Sequence, residues 1–119
     1  RYNARAYVNK GAALMERGEL EAARMLFNDA AAIEPYCVEA IYNLGLASVR
    51  LGELGYAVAA FKKLHAMLPE NPEVVYQIAH CYDVAGDYRL AVQWFELLLT
   101  LVPPLFRRVM EPRLPSQPL

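Results

Sequence analysis

The side chains best suited to chemistry in this chain are two histidines and two cysteines, and their spacing offers little chemistry. His80 and Cys81 are adjacent, so on a helix they point in different directions. His80 and Asp83 are three apart, close enough on one helix face to share a hydrogen bond. One such pair falls far short of a metal site's ligand set, and no other histidine or cysteine is spaced to complete it. His65 reads as helix surface or as a charge near a helix end. Cys81 reads as a small core hydrophobe rather than a nucleophile; Cys37 falls at a junction where partial exposure is expected. Glycines recur as Gly18-Glu19-Leu20, Gly52-Glu53-Leu54 and Gly86-Asp87-Tyr88, none of them a phosphate loop. No acid, base and nucleophile converge. The expectation is a binding protein with no catalytic residue, no cofactor and no metal.

Composition supports that direction. The chain has 119 residues, enough for one unit, with 56% hydrophobic residues against the roughly 45–50% of a soluble domain. Part of the excess reads as surface that a partner covers. Twelve basic and 13 acidic residues give a net charge of -1. A nucleic-acid partner would need a basic stripe, and none is present. Two cysteines without a C-x-x-C fit a reducing, intracellular compartment. The apolar stretch at Leu97–Leu99 is interrupted by Glu96 and Thr100. It is far short of the ~20 residues of a membrane span, so no membrane insertion is expected. No signal peptide is visible.

The elements that hold these residues are set by a period of 34. Gly18, Gly52 and Gly86 are 34 apart, as are Pro35, Pro69 and Pro103, Phe27, Phe61 and Phe95, and Ala23, Ala57 and Ala91. Gly11 and Gly45 continue to Ala79. Small residues at fixed offsets with this period read as a tetratricopeptide array of paired helices. The predicted fold is all-α: a superhelical solenoid of three helix-turn-helix units over 1–105 (4–37, 38–71 and 72–105), then a divergent, Pro-rich tail over 106–119. Six helices are predicted near 4–17, 20–33, 38–51, 54–67, 72–85 and 88–101. The turn glycines end each first helix in a left-handed conformation. Glu19, Glu53 and Asp87 put negative charge at the next helix start, with Asp87 as a good N-cap. The prolines stop the second helices, and Asn71-Pro72 reads as an N-cap with proline at N1.

The repeated small residues predict close helix pairing. Gly11, Gly45, Ala79, Ala23, Ala57 and Ala91 let the helices approach, while Phe27, Phe61 and Phe95 fill the space beyond; all are expected in the core. Leu14 and Tyr82 hold matching positions, where the middle unit has Ser48, a weaker fit. The first helices line the concave face in this architecture. The groove positions are Val8, Ala12 and Met15; then Tyr42, Leu46 and Val49; then Tyr76, His80 and Asp83 or Val84. Arg5, Asn9, Glu39, Asn43, Glu73 and Gln77 flank them. That mixture suits a helix or extended peptide laid across the face. The alternative is that Tyr42 and Tyr76 pack on neighbouring helices with only their hydroxyls wet. A chaperone-tail clamp is not expected. The positions of that clamp of lysine, arginine and asparagine map onto Val8, Ala12, Asn43, Glu73 and Gln77; only Asn43 matches, three expected cations are absent, and Glu73 would repel a carboxylate.

The repeat pattern resembles the tetratricopeptide family across about 100 of the 119 residues. Several runs are similar to the large tetratricopeptide subunits of the intraflagellar transport B complex. They are Tyr2-Asn3, Asn9-Lys10-Gly11, the stretches 39–46, 61–68 and 73–79, and Ala91-Val92-Gln93-Trp94-Phe95. Lys62-Lys63-Leu64-His65 and Tyr76-Gln77-Ile78-Ala79 are not dictated by the generic repeat. The resemblance implies a non-catalytic scaffold in cilium assembly, partnered with intraflagellar transport B core subunits in the cytoplasm and at the basal body and axoneme. A free-standing peptide-binding adaptor is the alternative. The sequence departs from that subfamily after Pro103, where further repeats would continue and Arg113 stands in place of a small residue. A short helical turn near 105–111 and an extended or disordered 112–119 are expected. The chain opens at Arg1 inside a helical pattern and reads as a fragment, so self-association through exposed solenoid ends is expected.

Overall fold

A computed structural model describes residues 3–102. Arg1, Tyr2, the stop assigned to Pro103, the turn at 105–111 and the tail through 119 lie outside the described residues. Within them the chain forms α1 (Ala4–Glu16), α2 (Leu20–Ile33), α3 (Val38–Arg50), α4 (Leu54–Met67), α5 (Pro72–Ala85) and α6 (Tyr88–Leu101). The result is an all-α solenoid of paired antiparallel helices, 57 × 26 × 25 Å. No described helix is long and apolar enough to cross a membrane.

The turns are built alike. Gly18, Gly52 and Gly86 have φ of 82°, 78° and 84°, a region closed to most side chains. After each, a backbone N–H returns to the first helix: Glu19 to the Leu14 carbonyl at 2.9 Å, Glu53 to Ser48 at 2.8 Å and Asp87 to Tyr82 at 2.9 Å. This bond satisfies a carbonyl that the helix end would otherwise leave open. The carbonyls of the same three residues accept from Ala23, Ala57 and Ala91. Asp87 therefore stands at the predicted N-cap position, but its side chain makes no cap bond. The backbone of this tight link serves both helices, at φ -90° and ψ 72°. Asn71 does cap: its Oδ1 accepts from the N–H groups of Glu73 at 2.9 Å and Val74 at 3.3 Å, with Pro72 in the first turn. Asn3 caps α1 in the same manner through Arg5 N–H at 2.9 Å.

Packing within a pair depends on glycine. A Cβ on Gly11 would lie 2.6 Å from the Phe27 ring, and one on Gly45 would lie 2.6 Å from the Phe61 ring. Both rings are wholly buried. The third unit differs. Ala79 carries the methyl that those glycines lack, and Phe95 is only half-buried, edge-on to Tyr76 at 6.1 Å. Ala23, Ala57, Ala79 and Ala91 are buried. Ser48 is also wholly buried, and its hydroxyl has no partner within the protein.

Two core clusters lie astride the unit junctions. Val8, Ala23, Phe27 and Ala30 of the first unit pack with Ala40 and Ala47 of α3. Ile41, Phe61 and Leu64 of the second pack with Val74, Ile78 and Cys81 of α5. A third cluster, Val75, Leu98 and Val102, lies within unit three; the two that cross the junctions fit an interior made continuous by stacking neighbours.

Gly45→Val should lower stability by roughly 1–3 kcal/mol or more, because the added carbons meet a ring that has nowhere to go. Gly55→Ala, in α4 with nothing within 4 Å of the new methyl, should instead add about 0.5–1 kcal/mol. Paired denaturant titrations would show the opposite signs; equal effects would refute the contact. In the same assay Asn71→Ala should cost about 1 kcal/mol, and Asp87→Ala distinctly less.

Candidate functional site

One face of α1, α3 and α5 carries the polar and aromatic positions singled out as a groove. Consecutive first helices are laced across it. Arg5 Nη1 of α1 lies 3.3 Å from Glu39 Oε1 of α3, between exposed side chains. Such an exposed pair contributes little energy, roughly 0–1 kcal/mol. The lacing between α3 and α5 is tighter. The Tyr42 hydroxyl donates to Glu73 Oε2 at 2.6 Å and accepts from Gln77 Nε2 at 3.3 Å. The Tyr42 ring meets Phe61 edge-on at 5.7 Å. Tyr42 thus joins units two and three, with both roles of its hydroxyl engaged. A cavity of about 210 Å³ opens beside it, walled by Val38, Leu68 and Asn71.

The third unit presents the more open surface. Tyr76 is 39% exposed. Its ring lies parallel to that of His80, centroids 5.9 Å apart and planes 7° apart. Position i+4 on one helix face produces this overlap. His80 therefore stacks on Tyr76 and makes no hydrogen bond to Asp83, contrary to the i,i+3 pairing expected from sequence. Asp83 and Val84 are exposed beyond it, and Gln77 is half-buried beside it. In the first two units Met15, Asn43, Leu46, Ala12 and Val49 are partly buried, and Val8 is buried. The groove positions thus divide into a packed portion over α1 and α3 and an accessible aromatic-polar step on α5.

Two other residues differ from their sequence reading or sharpen it. His65 is not helix surface. Its ring stands edge-on to Trp94 at 5.2 Å and 81°, and its buried Nδ1 has no partner within the protein. Adjacent units here meet through second helices as well as first, and periodicity alone does not reveal which side chains cross. Cys81 is wholly buried. Loss of water around it pushes its thiol pKa up, which disfavours the nucleophilic thiolate. Among the described residues no group of three or more His, Cys, Asp and Glu side chains is gathered to hold a metal ion.

Burial, then the Glu73 hydrogen bond, pushes the Tyr42 pKa up from 10.0 to about 12. A raised folded-state value means stabilisation that is complete below the unfolded pKa and lost as pH rises through the folded one. The stability difference between the natural chain and Tyr42→Phe should be constant near pH 8 and shrink between about pH 10 and 12. Denaturant unfolding at graded pH would measure it; a difference flat through that window would refute the linkage.

The comparisons with known proteins agree with this architecture. The family model for the tetratricopeptide repeat matches residues 4–37 and 72–103. No curated protein matches the chain. Among solved structures, one of MamA is 27% identical over 94% of this chain and 60% of its own, with a TM-score of 0.80. A second MamA structure is 26% identical over 92% of this chain and 62% of its own, with a TM-score of 0.79. The chain therefore spans about three fifths of these MamA chains. Pseudomonas aeruginosa pilF is 25% identical, with a TM-score of 0.70 over 85% of this chain and 46% of its own. A chain of the CopN–Scc3 complex reaches a TM-score of 0.81 at 14% identity, covering 89% of this chain and 64% of its own; that likeness is one of fold. The chain belongs to the tetratricopeptide repeat family.

Proposed function

We propose that this chain acts as an adaptor segment that holds a partner's helix or extended peptide across its first-helix face, centred on α5. One observation carries this reading: Tyr76 is exposed and stacks on the partly buried His80, whereas the hydroxyl of Tyr42 at the repeat-equivalent position is committed to Glu73 and Gln77. A rigid aromatic platform supplies contact area at little entropic cost. Gln77 and Asp83 beside it supply hydrogen-bonding groups for a peptide backbone. Glu73 keeps an anionic partner terminus away, and the MamA and pilF likenesses favour a general adaptor reading over a narrower one.

A scaffold role in intraflagellar transport is the second reading. It rests on the runs Lys62-Lys63-Leu64-His65 and Tyr76-Gln77-Ile78-Ala79. In it the chain would serve beside B core subunits in the cytoplasm, basal body and axoneme, and would self-associate through open ends when separated from further repeats. Packing accounts for part of the first run, since Lys62 and His65 both meet Trp94. Tyr76 and His80 have no such packing role toward a following unit among the described residues.

Affinity capture from a lysate of ciliated cells should recover the same partners with the natural chain and with Tyr42→Phe. Tyr76→Ala with His80→Ala should lose them by tenfold or more while leaving the circular dichroism unchanged. Undiminished capture by the double variant would overturn the α5 platform. Transport B core subunits among the captured proteins would favour the ciliary reading, and their absence the adaptor.

A further inference from the structure

The junction of units one and two holds a cleft between second helices. It lies between α2 and α4, has a volume of about 420 Å³, and is floored by Ser48 of α3 and Ala60 of α4, with Arg24, Asn28 and Tyr56 around it. Shifting these positions by one period of 34 gives the corresponding place at the next junction. There Ser48 becomes Tyr82, Ala60 becomes Trp94 and Asn28 becomes Lys62. The two rings fill that place, and Lys62 Nζ stands over both, 5.6 Å from the Tyr82 centroid and 5.9 Å from that of Trp94. The first unit likewise carries a bulky Leu14 where the second has Ser48. At the first junction both aromatic positions are reduced to the smallest side chains.

Two features mark the cleft as unfinished. The Ser48 hydroxyl is wholly buried at its floor and has no partner within the protein, an unsatisfied group of a kind that folded chains seldom retain. Tyr56, 69% exposed, stands at its rim. Arg24 supplies the cation that Lys62 supplies at the sibling junction. It pairs with Glu21 and, at 3.0 Å through Nη1, with Glu53 of the next unit, which holds the guanidinium in place. Ser48 lies about 200° around α3 from Leu46, at 100° per residue, so the cleft faces away from the groove side.

We infer that this cleft is a second binding site, which takes a tryptophan or tyrosine side chain from a partner protein. The incoming ring occupies the space that Tyr82 and Trp94 fill at the sibling junction. Asn28 in the cleft wall offers its indole N–H or phenol hydroxyl a partner, and Arg24 lies alongside as Lys62 does there. The site is independent of the α5 platform and stands whether or not that reading holds.

The test uses the isotope-labelled 119-residue chain and a blocked glycine pentapeptide with a central tryptophan, with its central-alanine twin as control. Amide shifts in a nuclear magnetic resonance titration should be saturable with the tryptophan peptide alone and should centre on Ser48, Ala60 and Asn28. Ser48→Tyr with Ala60→Trp rebuilds the sibling filling and should weaken binding at least tenfold without lowering the Tm. Ser48→Leu, which copies the bulk that the first unit carries at this position, should do the same and serves if the double variant does not fold. Tyr76→Ala should leave the titration unchanged. Absent shifts, shifts centred on Tyr76 and His80, or equal binding by the filled variants would overturn the site.

Discussion

The contact on which this molecule depends is an aromatic ring laid against a bare backbone. Phe27 over Gly11 and Phe61 over Gly45 leave no room for even a methyl group. The two helices of a pair can therefore approach to backbone distance, and each ring is removed from water entirely. Burying such a side chain contributes about 1.5–3 kcal/mol, and the close approach adds dispersion contacts along both helices. The left-handed glycine turns make this geometry reachable. They end the first helix abruptly, and the second can then fold back at once with its alanine at the crossing.

Where that contact relaxes, accessible surface appears. In the third unit Ala79 replaces the glycine, Phe95 is half-buried, and Tyr76 and His80 stack on the open side of α5. In the second unit the pair is tight, but the side chain that should seal it against the first is reduced to Ser48. The same repeat thus yields two kinds of irregularity: a raised aromatic step on the first-helix face and a recess between second helices. Both are departures from the period, placed on a scaffold whose regular positions are consumed by packing.

Junctions, more than units, are the energetic elements here. Two apolar clusters straddle them, and polar lacing follows the same lines, through Arg5–Glu39 and Tyr42–Glu73–Gln77 on one side and Arg24–Glu53 on the other. Such stacks couple neighbours more strongly than distant units. A ligand that spans two first helices, or enters between two second helices, would bind where neighbouring units are joined.

Much of the fold was legible in the residues alone. Glycine at 18, 52 and 86 permits a left-handed turn, proline at 35 and 69 follows the end of a second helix, and Asn71-Pro72 starts one; each is a local rule of backbone geometry. The 34-residue period then determines which helices pair, because small residues and phenylalanines must meet for the pairing to close. Tertiary structure alone decided how single side chains were used. Tyr42 and Tyr76 occupy equivalent positions in sequence and each meets its unit's phenylalanine edge-on, yet the hydroxyl of one is held by Glu73 and Gln77 and the ring of the other stacks on His80. His65 looked like helix surface until Trp94 of the next unit was placed against it. Asp87 looked like a cap until the turn engaged its backbone on both sides. Ser48 stood out in sequence as a weaker fit beside Leu14 and Tyr82, but that it and Ala60 line one cleft emerged only once α3 and α4 were packed. A period specifies the backbone that all units share, whereas function resides in the side chains by which they differ, and those are resolved only by their neighbours in space.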